Sequence, residues 1–179
     1  MGVIESSLLS DMKVLEITNG PSGSYAGRLL AKSGAEVTKI CRAKEKLSSF
    51  RDAEKNILRF LTDEECIQYV SECLFSKWDL IIWDSHCNEM CKNTLNAFFE
   101  QQPSSGTCIG VFIEFPAGID TEEEYTLQAM GGWMELTGHP ELLPLQVGGC
   151  SASHLVGAHA AAGGLLAVLT LQQNKKHIV

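Results

Sequence analysis

From Lys13 onward, short apolar runs and helix-period segments take turns, and this alternation restricts the fold more than any other feature of the chain. Lys13-Val-Leu-Glu-Ile-Thr18 reads as a strand. The turn Asn19-Gly-Pro-Ser-Gly-Ser24 leads into a helical pattern from Tyr25 to Lys32, which Gly34 is placed to end. Further strands are read over Glu36–Cys41, Asn56–Leu61, Trp78–Trp83 and Cys108–Phe115. Thr62-Asp-Glu-Glu65 is a capping-box pattern and opens a helix to about Phe75; another helix covers Met90–Glu100. The run Trp78-Asp-Leu-Ile-Ile-Trp83 is apolar nearly throughout, as a strand covered on both faces must be. The order predicts an α/β fold: a Rossmann-like, mostly parallel sheet flanked by helices in three layers.

After Phe115 the pattern changes. Asp120–Leu136 reads as an acidic-headed helix, Thr137–Ser151 as a Gly- and Pro-containing loop, and Ser153–Leu171 as an Ala/Gly-rich helix. Its small residues, among them Gly157, Ala160, Ala161, Gly163 and Gly164, suit close approach to another element. His177-Ile-Val179 looks like the opening of a further strand. The 179 residues fit one domain, 1–179, and the pattern suggests a portion of a longer polypeptide.

A net charge of −8 argues against a nucleic-acid surface, which needs clustered Lys and Arg. Seven cysteines include no CxxC pair; Cys87-x3-Cys91 beside His86 lacks a second pair, so no metal site is expected. Reduced thiols, and no basic region followed by an apolar core at the N-terminus, read as a cytoplasmic chain. The apolar stretch Ala158–Leu171 is too short for the ~20 residues of a membrane span, so no membrane partner is expected.

Individual candidates give little chemistry by themselves. Asn19–Ser24 lacks GxGxxG and the P-loop Lys-Ser/Thr, and reads as an ordinary β-α turn. Ser153 and His154 are adjacent, poor geometry for a nucleophile and its base, and no G-x-S-x-G elbow surrounds the serine. His159, on a small-residue helix, is expected to be packed in the core, and Glu122-Glu-Glu124 to be a solvated charge favouring a helix N-terminus.

Taken together, the segments resemble the family III CoA-transferases, the formyl-CoA and crotonobetainyl-CoA:carnitine transferases together with the α-methylacyl-CoA racemases. Val14–Ile40 is similar to the family's opening strand, its "AGPYAGRLLADLGAEV" helix and its second strand. Gln128-Ala-Met-Gly-Gly-Trp-Met-Glu-Leu-Thr-Gly-His-Pro140 resembles its "QAMSGLMSLTGEP" segment, and Pro144–Ala167 its catalytic loop and following helix. The resemblance covers nearly the whole chain and implies the N-terminal part of the family's large domain.

The family's chemistry rests on an aspartate whose carboxylate attacks the acyl-CoA thioester, giving a mixed anhydride that CoA thiolate reopens. The resemblance puts Ser153 at that position, and Glu123 where the racemases have a histidine. A serine can form only an oxygen ester, far less activated, and no adjacent base is evident. No catalytic residue is therefore assigned. The resemblance implies coenzyme A or an acyl-CoA as ligand, with Gly23, Arg42, Lys55 and Lys92 at CoA-binding positions and no metal. Elsewhere the pattern departs: Gly23-Ser24 replaces Gly-Pro, Lys39-Ile-Cys41 replaces "KIE", and the loop after Phe115 is shortened to Pro116-Ala-Gly118. The expectation is a degenerate, inactive domain that serves as scaffold or CoA-binding part of a larger acyl-CoA enzyme. The alternatives are an enzyme using Ser153, His154 or Glu124, and an interaction module without CoA. An incomplete domain would expose apolar surface, so the partner is another copy of the chain or a downstream transferase domain.

Overall fold

The computed structural model describes residues 8–42, 47–60, 62–73, 78–101, 108–115 and 123–176, with the backbone alone at 42, 73 and 174–176. Among the described residues five strands form one sheet: β1 Lys13–Ile17, β2 Glu36–Arg42, β3 Asn56–Phe60, β4 Leu80–Asp84 and β5 Ile109–Ile113. Their order is β3-β2-β1-β4-β5, and every pairing is parallel. Val14 aligns with Val37 on one side and Leu80 on the other, so β1 is the centre of the sheet. The helices are α1 Pro21–Lys32, α2 Asp63–Cys73, α3 Glu89–Gln101, α4 Glu124–Met130 and α5 Ser151–Lys176.

Side-chain alternation along the strands makes two cores. Val14, Val37, Leu80 and Ile82 meet Ala26 and Leu30 of α1 and Ala161 and Val168 of α5. Leu15, Ile17, Ile40, Ile81 and Trp83 face the other way, onto Val70 of α2 and Cys91 and Leu95 of α3. The result is the expected three-layer α/β sheet. The capping box is formed as read: Thr62 Oγ1 accepts from the Glu65 N–H at 3.2 Å, and Glu65 returns to the Thr62 N–H at 3.4 Å.

Three readings change. The helix over Asp120–Leu136 is shorter: α4 stops at Met130, where the Gly131-Gly132 pair breaks the pattern and the Trp133 N–H turns back to Gln128 O at 3.0 Å. Residues 120–122 lie outside the described residues. The last helix is longer at both ends than Ser153–Leu171, and 23 of its residues, Ser151–Gln173, satisfy a membrane span by length and composition alone. The apolar stretch Ala158–Leu171 is continued to that length by the helical residues that precede and follow it, from Ser151 to Gln173. In this fold it lies along α1, where Gly157 meets the backbone of Ser22 and Ala26 so closely that a Cβ has no room. His159, expected in the core, is exposed, its Nδ1 2.8 Å from Leu155 O within its own helix. The strand read at 177–179 lies outside the described residues.

Candidate functional site

The head of α5 carries the densest polar arrangement near Ser153. Gln128, fully buried on α4, exchanges two hydrogen bonds with the Val147 backbone, at 2.8 and 3.0 Å, and so ties the 131–150 loop to α4. Its Nε2 also donates to Glu124 at 2.6 Å. Glu124 in turn accepts from the N–H of Ala152 at 2.7 Å, the N–H of Ser153 at 3.0 Å and the Ser153 hydroxyl at 2.8 Å. The carboxylate thus satisfies two of the orphan amides at the start of α5 and stands at its positive dipole end. This corrects the reading of Glu124 as a solvated charge. Burial would raise its pKa, but the four donors outweigh that and hold the carboxyl below the usual carboxylate range. An anion so stabilised is a weak base and a weak nucleophile. Ser153 itself is fully buried, and its proton is directed at Glu124.

His154 leaves α5 on a neighbouring face and stacks on Tyr25 of α1, ring centroids 4.2 Å apart. Burial and the nearby Arg51 charge lower its pKa, against the opposing pull of Glu124.

A second polar cluster lies under α1. Glu16 and Lys39 are charges within otherwise apolar strands, and both are buried. Lys39 Nζ lies 3.0 Å from Glu16, 2.8 Å from Asp52 and 2.6 Å from the Ser24 hydroxyl. Lys55 Nζ lies 2.7 Å from Glu16 and 3.3 Å from Asp52, and donates to Ser24 O at 2.8 Å. Two carboxylates and two ammonium groups cancel, which is what allows them to be buried. Burial lowers the pKa of Lys55; at Lys39 burial pulls the same way, but Glu16 and Asp52 outweigh it and raise the pKa. Above this cluster opens a polar cleft of about 210 Å³, lined by Thr18, Asn19, Gly20, Ser24, Lys39, Ser48, Arg51 and Asp52 among others.

The chain order reverses between β1 and β4, where open α/β sheets seat ligands beyond the strand ends. Asp84 fills that crevice. Its fully buried carboxylate accepts from the N–H of Asn19 at 3.0 Å and of Gly20 at 2.8 Å, and its other oxygen from the His86 N–H at 3.1 Å. Burial raises its pKa against these bonds. Pro21 has no N–H to offer, so the mouth of α1 is largely occupied.

The residues expected to bind CoA are not gathered in one place. Gly23 allows α1 to close on β1, since a Cβ there would meet the Thr18 side chain. Lys55 points inward to the charge cluster, its side chain fully buried. Lys92, on α3 across the sheet, pairs with Glu89 at 2.6 Å. Arg42 ends β2, and its side chain lies outside the description. Cys41, Cys66, Cys87 and Cys91 border a small cavity of about 30 Å³, and burial pushes the Cys87 thiol up to about 12. Among the described residues, no three of His, Cys, Asp or Glu are grouped to hold a metal ion. Sequence reasoning missed the role of Glu124, the Asp84 contact and the Glu16 cluster. Only the last left a signal, a charge in each of two apolar strands.

Comparison with models of protein families finds no match, and neither does comparison with curated proteins. Solved structures do match. A hypothetical protein of Mycobacterium tuberculosis, Rv3272, superposes with a TM-score of 0.76 at 20% identity, covering 94% of this chain and 52% of that one. A CAIB/BAIF family protein from Brucella suis gives 0.66 at 19% identity, over 94% and 51%. The fold is that of these proteins, and the chain spans about half their length.

Proposed function

We propose that this chain is the N-terminal part of the large domain of a family III CoA-transferase-like protein, does not itself transfer acyl groups, and acts as scaffold or CoA-binding part of a larger acyl-CoA enzyme. The observation that carries the reading is the state of Ser153. Ser153, which the resemblance puts at the family's attacking carboxylate, is a buried hydroxyl bonded to Glu124. The carboxylate that is present at the head of α5 is engaged by four donors, which favours capping over attack on a thioester. The CAIB/BAIF description of the Brucella suis neighbour supports the same family.

Coenzyme A or an acyl-CoA is the ligand, with Gly23, Arg42, Lys55 and Lys92 at the positions the resemblance marks. Lys55 has its charge compensated by Glu16 and Asp52, so Arg42 and Lys92 are the basic residues better suited to meet phosphates. The proposed setting is cytoplasmic, and the partner a second copy or a transferase domain. Titrating the chain with CoA and with acetyl-CoA by calorimetry, then weighing it by mass spectrometry, tests this. Saturable heat and an unchanged mass are expected. An acyl adduct on Ser153 or Glu124 refutes inactivity, and no heat with either ligand favours an interaction module without CoA.

A further inference from the structure

Where α1, the 47–54 turn and the head of α5 meet, nitrogen donors converge without an acceptor. Arg28 holds its guanidinium carbon 4.4 Å from the centre of the Phe50 ring. Tyr25, one helical turn earlier, stacks on His154, whose ring is 6.1 Å from that of Phe50. Arg51 follows Phe50 directly and lies near enough for its charge to act on His154. Arg28 Nη1 and His154 Nε2 are both buried and both without a hydrogen-bond partner. The carboxylates nearby are already engaged, Asp52 by Lys39, Lys55 and the Ser48 N–H, and Glu124 by its four donors. Among the described residues no carboxylate pairs with Arg28 or Arg51.

Buried donors left unmade are costly and rare, and Arg28 Nη1 is one in a chain of net charge −8, with the half-buried Arg51 beside it also lacking a carboxylate partner. We propose that Arg28, Arg51 and His154 form a binding site for a small oxyanion, a carboxylate or a phosphoryl group, at the rim of the Tyr25–Phe50–His154 stack. A guanidinium fork matches either group; the anion supplies the acceptor that Arg28 Nη1 lacks, and His154 donates to it from Nε2 when that nitrogen carries a proton. Glu124 and the anion favour the protonated imidazole, while burial and Arg51 oppose it; Tyr25 stacks on the ring and Phe50 lies beside it. Phe50 is half exposed, so the rim is open to solvent. Arg51 also lines the polar cleft of about 210 Å³, which gives the remainder of a larger ligand room. The site does not depend on CoA binding.

The test is a two-dimensional NMR titration of the full chain with sodium phosphate and, separately, sodium succinate, against sodium chloride at matched ionic strength. At least one anion is expected to shift the His154 imidazole saturably and to raise the pH at which it titrates. Arg51→Gln is expected to weaken that binding at least about tenfold, as loss of a charge-assisted hydrogen bond should. A response to phosphate alone assigns a phosphoryl ligand, to succinate alone a carboxylate, and to both the wider class. If neither anion moves His154 beyond chloride, or if R28Q and R51Q both bind as the wild type does, the site is refuted. Should R28Q fail to fold, the wild-type titration and R51Q decide. CoA binding that survives both substitutions leaves the CoA reading intact.

Discussion

A carboxylate that accepts four hydrogen bonds loses most of their strength when it is protonated, so the cap that Glu124 places on α5 is tied to pH. Its folded pKa lies below the unfolded value. The stability it contributes is therefore fully present above the ordinary carboxylate range and is lost as pH falls through the folded pKa. Thermal unfolding of Glu124→Gln should show a loss of about 1–2 kcal/mol at pH 7, the usual scale of a helix cap, and a shallower decline toward pH 3 than the wild type. Equal stability at pH 7 would remove the capping role. Little of this was legible in the sequence. Glu124 and Ser153 are 29 residues apart, and local pattern rules see only a short acidic run before a helix. Ser153 is picked out only by its spacing from Gly157 in the resemblance to the family, and the charges of Glu16 and Lys39 within apolar strands do not reveal that Asp52 and Lys55 neutralise them.

Secondary structure was more readable, because burial on two faces leaves a pattern that a single strand or helix carries by itself. β4 is fully buried along its length, and its sequence is apolar from Leu80 to Trp83 to match; the Thr62 capping box needs only four consecutive residues. α4 and α5 differ in length from the local pattern, where a glycine pair intervenes or the deciding contact is tertiary. The glycines of α5 differ in kind. Gly157 faces the α1 backbone with no space for a Cβ, while Gly163 has nothing within 4 Å. Chemical denaturation should therefore give opposite signs. G157A is expected to cost about 1–3 kcal/mol through overpacking, and G163A to gain up to about 1 kcal/mol through helix propensity. Loss in both variants would mean that α5 does not dock on α1 in this way.

For the molecule as a whole, the α/β class followed from element order, but the strand sequence β3-β2-β1-β4-β5 required long-range pairing that no single segment encodes. The outer face of α5 keeps Leu166 and Leu169 more than half exposed, and Ile109, Leu166, Ala167 and Leu171 border an open groove of about 450 Å³ beside the edge strand β5. Apolar surface of this kind drives association. Sedimentation velocity should show concentration-dependent self-association that the double variant L166E/L169E abolishes; a wild type that stays monomeric at every concentration contradicts it. Asp84 has a consequence of its own. In many doubly wound folds the first helix greets a guest phosphate with bare amides, but here the host has brought its own anion to the doorway. Any visitor bearing negative charge must either displace that tenant or take another entrance, and acidification, by discharging Asp84, weakens its hold on the amides.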